Sequence, residues 1–411
     1  MKNKSNKKAK VYLNSLGLVN ALGSDKMQVV ESLSSAFSPG MRHKKSNIFD
    51  KDFYCGVVDN KLRSIPEQYT NFNCRNNRLA LAAIRQIEGD IKQAKDIYGE
   101  DRIGIVMGTS TSGIQEAENA IQEKYQNGVL PENFDYKMQE LGAMSEFLGL
   151  YLRISGPCYS ISTACSSSGK VFASAMRLLE LDICDAVIVG GADSLCDLTL
   201  GGFNSLEAVS FEQALPFSVN RKGINIGEGA AMFLMTKEKD LKSSNNHLGS
   251  SSPIMLLGVG ETSDAYHMSA PEPNGKGAIA AMEKALKEAE ITPESIDYIN
   301  LHGTGTQLND SMEATAINHL FGQNTTCSST KPLTGHTLGA AGATEVALCW
   351  LLLNHSEDRL LAPHVYDGNY DKEMAEINLA TNSISKDEIV TTMCNSFAFG
   401  GNNVSVILGL E

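Results

Sequence analysis

Short apolar stretches rich in β-branched residues alternate along the chain with longer segments whose apolar residues recur at helical spacing. The apolar stretches predict strands at 11–22, 102–108, 186–191, 231–236, 254–258, 296–302, 389–395 and 404–409. The helical spacing predicts helices at 77–93, 275–289, 311–320 and 339–354, of which the last holds the longest apolar run, 346–353. Strands that alternate with helices predict an α/β fold.

A polar stretch rich in Ser, Asn and Lys at 239–252 divides the chain into two parts. The parts, 11–252 and 253–411, are each long enough to form a hydrophobic core. The lysine-rich segment 1–10 before them predicts a disordered basic tail. Each part holds a candidate catalytic loop after a strand, which suggests an internal repeat, although the residues of the two parts are too dissimilar to demonstrate it.

Cys165 lies between the strand-like run 159–164 and a segment with helical spacing over 171–179. A thiol at the start of a helix faces free backbone N–H groups and the positive end of the helix dipole, which predicts a lowered pKa. A lone cysteine is more often a small core hydrophobe, so its interpretation depends on the rest of the sequence.

Two histidines give Cys165 a chemical context. His302 lies in the segment 300–306 and His336 in the segment 331–345, each between small residues at the end of an apolar stretch where a substrate can reach it. A thiolate suits exchange with a thioester. Two neutral imidazoles that present N–H donors suit the stabilisation of an enolate oxygen.

With these three motifs the chain resembles the β-ketoacyl-acyl carrier protein synthases, the condensing enzymes of fatty acid and polyketide synthesis. The resemblance runs nearly end to end and includes the segments 104–109, 189–193, 216–221, 227–229, 264–268 and 395–401. It implies the thiolase fold, in which two βαβαβαββ halves stack as five layers, α-β-α-β-α. It also implies that Cys165 holds the acyl chain while His302 and His336 support decarboxylation of a malonyl thioester.

The same resemblance implies roles for residues that support these three. Lys331 and Glu345 match a pair that sets the electrostatics of the histidine loop, although an ion pair that only holds the loop is an alternative. Phe399 matches a residue whose N–H, with that of Cys165, forms the oxyanion hole and whose ring gates the acyl pocket. The alternative is an ordinary core phenylalanine before a glycine turn.

Further residues are implied to bind the substrate. Thr304 and Thr306 match threonines that bind the phosphopantetheine arm, with capping of the following helix as the alternative. His267 lies in the segment that lines the pantetheine entrance. Thr111 lies near the position that limits the depth of the acyl pocket, unless its segment is simply a turn.

Three residues depart from the family pattern, and none of them is at a position that the resemblance implies to be catalytic. Gln307 stands where proline is common, and Ser218 and Lys222 stand where aspartates are common. None of these changes removes a catalytic group. The segment 218–224 is more similar to bacterial synthases of secondary pathways, such as those that make aryl polyene pigments, than to housekeeping fatty acid enzymes.

Charge and cysteine content limit the partners and the compartment. A net charge of −13 argues against nucleic-acid binding, which needs a basic face. Acyl carrier proteins are typically acidic, so their docking site should be locally positive; the candidates are Lys61, Arg63, Arg75, Arg78 and Lys137. Nine cysteines without a CxxC pair fit reduced thiols, and the absence of zinc-ligand spacing argues against a metal site. Because no apolar run approaches the length of a membrane span or a signal peptide, we expect a cytoplasmic protein. The implied condensation between two thioesters needs no metal or dissociable cofactor.

Three functions compete. The first is a decarboxylative synthase that elongates a carrier-bound acyl chain. The second is a non-elongating chain-length partner in a ketosynthase heterodimer, a role whose holders typically lose the nucleophilic cysteine. The third is a thiolase-like acyltransferase that uses coenzyme A thioesters and needs a second cysteine near the C-terminal glycines, where Cys394 lies just outside. Chain length, and the choice between a homodimer and a heterodimer, stay open.

Overall fold

The computed structural model describes residues 10–59, 61–239, 241, 252–385 and 387–411. The predicted basic tail, except Lys10, and most of the polar stretch at 239–252 lie outside the described residues. The strands are β1 (Tyr12–Val19), β2 (Met41–Lys44), β3 (Phe53–Gly56), β4 (Ile103–Gly108), β5 (Cys158–Ile161), β6 (Ala186–Asp193), β7 (Gly229–Thr236), β8 (Ile254–Ser263), β9 (Tyr298–Asn300), β10 (Thr326–Ser328), β11 (Asn378–Leu379), β12 (Thr391–Ala398) and β13 (Asn402–Leu410). The α-helices are α1 (Lys26–Ser34), α2 (Arg75–Ile84), α3 (Glu88–Tyr98), α4 (Ile114–Asn127), α5 (Ala143–Leu152), α6 (Ser167–Glu180), α7 (Asp197–Ser205), α8 (Lys276–Ala289), α9 (Gln307–Phe321), α10 (Lys331–Thr334) and α11 (Ala341–Asn354).

The predicted strands are all present, but the single helix predicted at 77–93 is wrong. The chain turns at 85–87 and forms α2 and α3 instead. Gln86, in this turn, accepts a hydrogen bond from the backbone N–H of Leu18 at 3.3 Å and donates one to its carbonyl at 2.8 Å. Hydrogen bonds to a distant strand thus accompany the break in an otherwise continuous helical pattern.

The strand order reveals the internal repeat that the residues alone do not demonstrate. The first half orders its strands β5-β4-β6-β7-β1, and the second half orders them β10-β9-β12-β13-β8, with β11 added at the edge. In the first half β4 pairs in parallel with β5 and β6, and in the second half β9 pairs in parallel with β10 and β12. The edge strand β11 is parallel to β10, and the other neighbours within each half are antiparallel. The two sheets join through a short antiparallel pairing of Tyr12 with Met255.

Five layers result from the packing of helices on these sheets. Helices α6 and α11 form the central layer, since α6 contacts β6 and β13 while α11 contacts β12 and β7. Helices α2 and α5 cover the outer face of the first sheet, and α8, with α9 beside it, covers the second. All 14 residues of α11 are buried, as predicted for its apolar run. This is the thiolase fold.

The two central helices cross at a pair of glycines. A Cβ atom added to Gly342 in α11 would lie 2.5 Å from the backbone nitrogen of Gly169 in α6, so the backbones touch. Cys165 lies just before α6 and His336 just before α11. The crossing therefore brings together one loop from each half.

Candidate active site

Cys165 lies on a strained turn between β5 and α6. The strand ends at Ile161, three residues earlier than predicted, and Ala164 adopts a left-handed backbone with φ 52°. Ser167 stabilises this turn because its hydroxyl donates to the carbonyl of Ala164 at 2.5 Å and accepts from the N–H of Thr163 at 2.8 Å. Cys165 is buried on this turn.

His336 lies directly beside the thiol, with Nε2 2.9 Å from Sγ of Cys165. Although it belongs to the second half of the chain, its backbone is held by the first half. Its N–H donates to the carbonyl of Asn225 at 2.6 Å, and its carbonyl accepts from the N–H of Gly227 at 2.9 Å. Backbone hydrogen bonds thus hold the imidazole of His336 beside the thiol of Cys165.

His302 follows β9 and is oriented by Lys331. The ammonium of Lys331 lies 3.4 Å from Nδ1 of His302. Because an ammonium only donates, Nδ1 accepts and the proton of the neutral ring lies on Nε2. The His302 ring stands perpendicular to that of His336, with 5.4 Å between centroids and 84° between planes. His302 is therefore a neutral Nε2–H donor.

Lys331 also forms a buried ion pair with Glu345, and each residue is only 2% exposed. The sequence prediction that these two residues belong with the histidine loop is consistent with this contact. Burial raises the pKa of Glu345 to about 7, and the positive charge of Lys331 opposes that rise. Through one ammonium, the pair connects α11 to the ring of His302.

The predicted lowering of the Cys165 pKa is wrong. Burial raises the pKa of the thiol to about 12, although the charge of Lys331 opposes the rise. The first N–H groups of the turn are already used, since those of Ser166 and Ser167 donate to the carbonyls of Thr163 and Ala164. Burial, aided by Lys331, also lowers the pKa of His302 and of His336 well below the ordinary value. The resting site therefore holds a neutral thiol and two neutral imidazoles.

These groups open into a cavity of about 400 Å³ that Thr304, Thr306 and Phe399 also line. The hydroxyl oxygens of Thr304 and Thr306 lie 2.8 Å apart. Thr306 precedes α9 but makes no side-chain capping bond, which argues against the capping alternative. The ring of Phe399 packs on that of Phe203, with 5.4 Å between centroids.

His267 and Thr111 lie outside the lining of this cavity. His267 is exposed, and its Nδ1 accepts from the N–H groups of Ser269 at 3.1 Å and Ala270 at 3.2 Å, two residues that do line the cavity. Thr111 is buried, and its hydroxyl donates to Asp193 at 2.7 Å. The pocket role of Thr111 stays a prediction.

Two buried carboxylates that sequence reasoning did not place in the site organise its loops. Asp193 accepts from the N–H of Thr111 at 2.8 Å and from that of Ala340 at 2.9 Å, and so joins the loop after β4 to the segment after His336. Glu313 accepts from the N–H of His302 at 2.7 Å, and burial raises its pKa to about 8. In the sequence, the only sign that Glu313 belongs to the site is an acidic residue among the apolar residues of α9.

The structure assembles a Cys-His-His group although the sequence has no metal-ligand spacing. The ligand atoms of Cys165, His302 and His336 all lie within 4.8 Å of one another. Three such ligands are one fewer than a closed structural zinc site uses. They are the same groups whose geometry fits thioester chemistry.

Comparison with known proteins identifies the family of the chain. The sequence family "Beta-ketoacyl synthase, N-terminal domain" matches residues 32–240, and its C-terminal domain matches residues 254–363. The chain belongs to the β-ketoacyl synthase family. It is accordingly a condensing enzyme of the acyltransferase type, as predicted.

Individual relatives cover the whole length of the chain. It is 30% identical to 3-oxoacyl-acyl-carrier-protein synthase 2 of Coxiella burnetii, across 98% of both chains. A ketosynthase (ApeO) of Xenorhabdus doucetiae, solved in complex with its chain length factor (ApeC), is 44% identical across 100% of both chains, with a TM-score of 0.92. The ishigamide ketosynthase/chain length factor, at 24% identity and a TM-score of 0.86 over 98% of this chain and 100% of that one, supports the fold alone.

Among the described residues, no helix combines the length and apolarity needed to cross a bilayer.

The structure also shows which candidate docking cations already have a partner. Three are engaged in ion pairs: Arg75 with Glu228, Arg78 with Glu116, and Lys137 with Glu140 and Glu146. Lys61 and Arg63 are exposed, and within the described ranges neither forms an ion pair.

Proposed function

We propose that the protein elongates a carrier-bound acyl chain by decarboxylative condensation with a malonyl thioester. The observation that carries this proposal is the 2.9 Å contact between Nε2 of His336 and Sγ of Cys165, beside a second imidazole in the same cavity. A cysteine with two neutral histidines suits both halves of the reaction. It can exchange thioesters, and it can stabilise an enolate.

The first half-reaction moves the acyl group to Cys165. As the sulfur attacks the thioester carbon, Nε2 of His336 takes the thiol proton and then gives it to the departing carrier thiol. This transfer removes the need for a free thiolate, whose formation burial disfavours. The backbone N–H groups of Cys165 and Phe399 are proposed as the oxyanion hole, and the ring of Phe399 as the gate.

The second half-reaction forms the carbon–carbon bond. The malonyl thioester loses CO2, and the electron pair of the broken bond forms an enolate whose oxygen accepts from Nε2–H of His302. In the acyl-enzyme, where Cys165 no longer carries a thiol proton, the neutral His336 ring loses its Nδ1 proton to solvent and gains one on Nε2, and this Nε2–H provides the second donor. The enolate carbon attacks the acyl-cysteine, and the bond from carbon to sulfur breaks. The sulfur of Cys165 leaves as a thiolate and takes the proton from Nε2 of His336, while solvent supplies one proton to Nδ1 of that ring, so the neutral thiol and the neutral imidazole are restored.

The remaining site residues are proposed to position the substrate. Thr304 and Thr306 present adjacent hydroxyls to the pantetheine arm in the cavity. His267 shapes the entrance through Ser269 and Ala270. Thr111, held by Asp193, would affect the acyl pocket through its small size.

A second subunit is proposed to pair at β5. This strand is at the edge of the first sheet, and its outer side has no partner among the described residues. An unpaired edge strand is a template for another chain. The relative at 44% identity was solved with a chain length factor, which favours a heterodimer for this chain over a homodimer. Acidic carrier proteins would dock near Lys61 and Arg63.

The alternatives fit the site less well. A non-elongating chain-length subunit has no use for a cysteine hydrogen-bonded to a histidine. A thiolase needs a second reactive cysteine, but Cys394 is buried and does not line the cavity. Burial and the nearby Glu345 raise the pKa of Cys394 well above the ordinary value, which suits an inert thiol.

A secondary metabolic pathway and a cytoplasmic location are also proposed. The similarity to the ketosynthase ApeO and the segment 218–224 favour a secondary pathway such as aryl polyene synthesis. All nine cysteines are free, which suits the reducing cytoplasm.

The test is incubation of the protein with malonyl carrier protein and a panel of saturated, polyunsaturated and aryl acyl carrier proteins, with products read by intact-protein mass spectrometry. Cys165→Ala should abolish elongation, while Cys184→Ala, which removes a cysteine outside both the cavity and β5, should retain it. His302→Ala should block decarboxylation more than acylation of Cys165. Elongation by Cys165→Ala at the normal rate would refute the proposal. Acylation of Cys165 without elongation would indicate a missing partner subunit.

A further inference from the structure

Lys222 is an exposed cation at the mouth of the active-site cavity. It lines the same cavity as Cys165. The sequence departs from the family pattern here, because aspartate is common at this position. A lysine in place of an aspartate reverses the local charge where the substrate enters.

The backbone on both sides of Lys222 is attached to the segment that holds the two cavity threonines. The N–H of Gly223 donates to the carbonyl of Gly305 at 2.9 Å. Gln307 donates through Nε2 to the carbonyl of Arg221 at 3.5 Å. Lys222 therefore lies beside the segment that carries Thr304 and Thr306.

The other charged groups of the lining are either engaged or acidic. The charged residues that line the cavity are Glu207, Arg221, Lys222 and Asp264. Arg221 is buried and pairs with Asp371 at 2.6 Å. Asp264 accepts from the side chain of Asn403 at 2.7 Å and from the N–H of Glu272 at 3.1 Å. Among the described residues of this lining, Lys222 is the cation without an ion pair.

We propose that Lys222 binds the phosphate of the phosphopantetheine arm. This inference rests on the proposed function, because a carrier-bound thioester brings a phosphodiester to the cavity mouth. An ammonium binds a phosphate as a point charge. Since the chain as a whole carries a net charge of −13, a local cation is needed to favour an anionic arm.

The test compares two small probes that differ only in the phosphate, 4′-phosphopantetheine and pantetheine. Their dissociation constants for the full-length protein are measured by ligand-observed NMR at low and high salt. We expect tighter binding of the phosphorylated probe, by about fivefold at low salt, which is the value of one exposed ionic contact of about 1 kcal/mol. Salt should reduce this preference.

Variants assign the preference to one side chain. Lys222→Gln should remove it, Lys222→Glu should reverse it, and Lys222→Arg should retain it. Lys92→Gln, which removes an exposed lysine of α3 outside the cavity, should behave as the unmodified protein. An unchanged preference in Lys222→Gln, or no preference in the unmodified protein, would overturn the inference. Because this measurement needs no turnover, it is independent of whether the protein condenses carrier-bound thioesters.

Discussion

The ammonium of Lys331 lies 3.4 Å from Nδ1 of His302 and at the same time pairs with the carboxylate of Glu345. One cation therefore fixes the tautomer of the His302 imidazole and compensates the buried acid Glu345. Neither His302 nor Glu345 is independent of the other, although 43 positions separate them along the chain.

Replacing Lys331 by methionine removes both the donor to His302 and the cation that pairs with Glu345. His302 loses the donor to Nδ1, so release of CO2 from malonyl carrier protein should fall about 100-fold, the effect of losing an oriented oxyanion donor. Acylation of Cys165 should fall much less. Lys331→Met should also lower the midpoint of urea unfolding, because it leaves the buried acid Glu345 without its cation. The double variant Lys331→Met with Glu345→Gln should restore this midpoint but not the release of CO2. Equal recovery of both would mean that Lys331 acts only through stability.

The reactivity of Cys165 should follow a raised pKa. Because burial raises the thiol pKa to about 12, the rate of alkylation by iodoacetamide should rise about tenfold per pH unit from pH 7 to pH 9 without a plateau. Alkylation is followed by peptide mass spectrometry in a Cys158→Ser background, since Cys158 is exposed. A plateau below pH 7.5 would show a preformed thiolate.

Gly108, at the end of β4, should tolerate no side chain. A Cβ atom there would lie 2.4 Å from the backbone nitrogen of Ser168, in the first turn of α6. Gly108→Ala should lower the free energy of unfolding by about 3 kcal/mol and reduce activity, since α6 follows Cys165. The matched control is Gly89→Ala in α3, where a Cβ meets nothing within 4 Å. It should gain about 0.5–1 kcal/mol in urea unfolding.

His364 should make the fold sensitive to acid. Its Nδ1 accepts from the N–H of Ser329 at 3.1 Å and its Nε2 donates to the carbonyl of Pro216 at 3.0 Å, so only the neutral ring fits. Burial lowers its pKa to about 4, although the carbonyl of Pro216 opposes the shift. The unfolded chain binds the proton first, so its contribution to stability is complete above pH 6.5 and is lost as the pH falls towards 4.

Substitution isolates this contribution from other titrating groups. Between pH 7 and pH 5 the unmodified protein should lose about 2 kcal/mol more unfolding free energy than His364→Gln, whose amide can make both hydrogen bonds without titrating. Denaturant unfolding at the two pH values measures the difference. Parallel losses in both proteins would exclude His364 as the source.

The sequence predicted which three groups come together in the site because each lies in a short, contiguous motif. Cys165, His302 and His336 are each recognisable from their immediate neighbours, and the alternation of strands and helices indicated the fold class. The prediction of one helix at 77–93 failed at a turn where Gln86 hydrogen-bonds the backbone of Leu18, a contact that no local pattern records. Tertiary hydrogen bonds override helical spacing where they satisfy a distant backbone.

Charge environments were the least predictable feature. Arg75 was a reasonable docking candidate until the structure placed it against Glu228, 153 positions away. The pKa of Cys165 was predicted with the wrong sign because burial outweighs the helix start, and burial is not visible in a motif. Both errors, on Arg75 and on Cys165, have one cause: the electrostatic environment of a residue depends on its burial and on charged groups distant in sequence.

The contact of Gly169 with Gly342 fixes the spacing of two helices without involving the side chains that line the cavity. Where backbones touch, the spacing of α6 and α11 cannot drift with the size of neighbouring side chains, so the loops of Cys165 and His336 keep their spacing while other walls of the cavity change. The ketosynthase ApeO retains this fold although more than half of its residues differ. Side chains that line the rest of the cavity can therefore be replaced without a change in the distance between the two loops, because a backbone contact sets that distance.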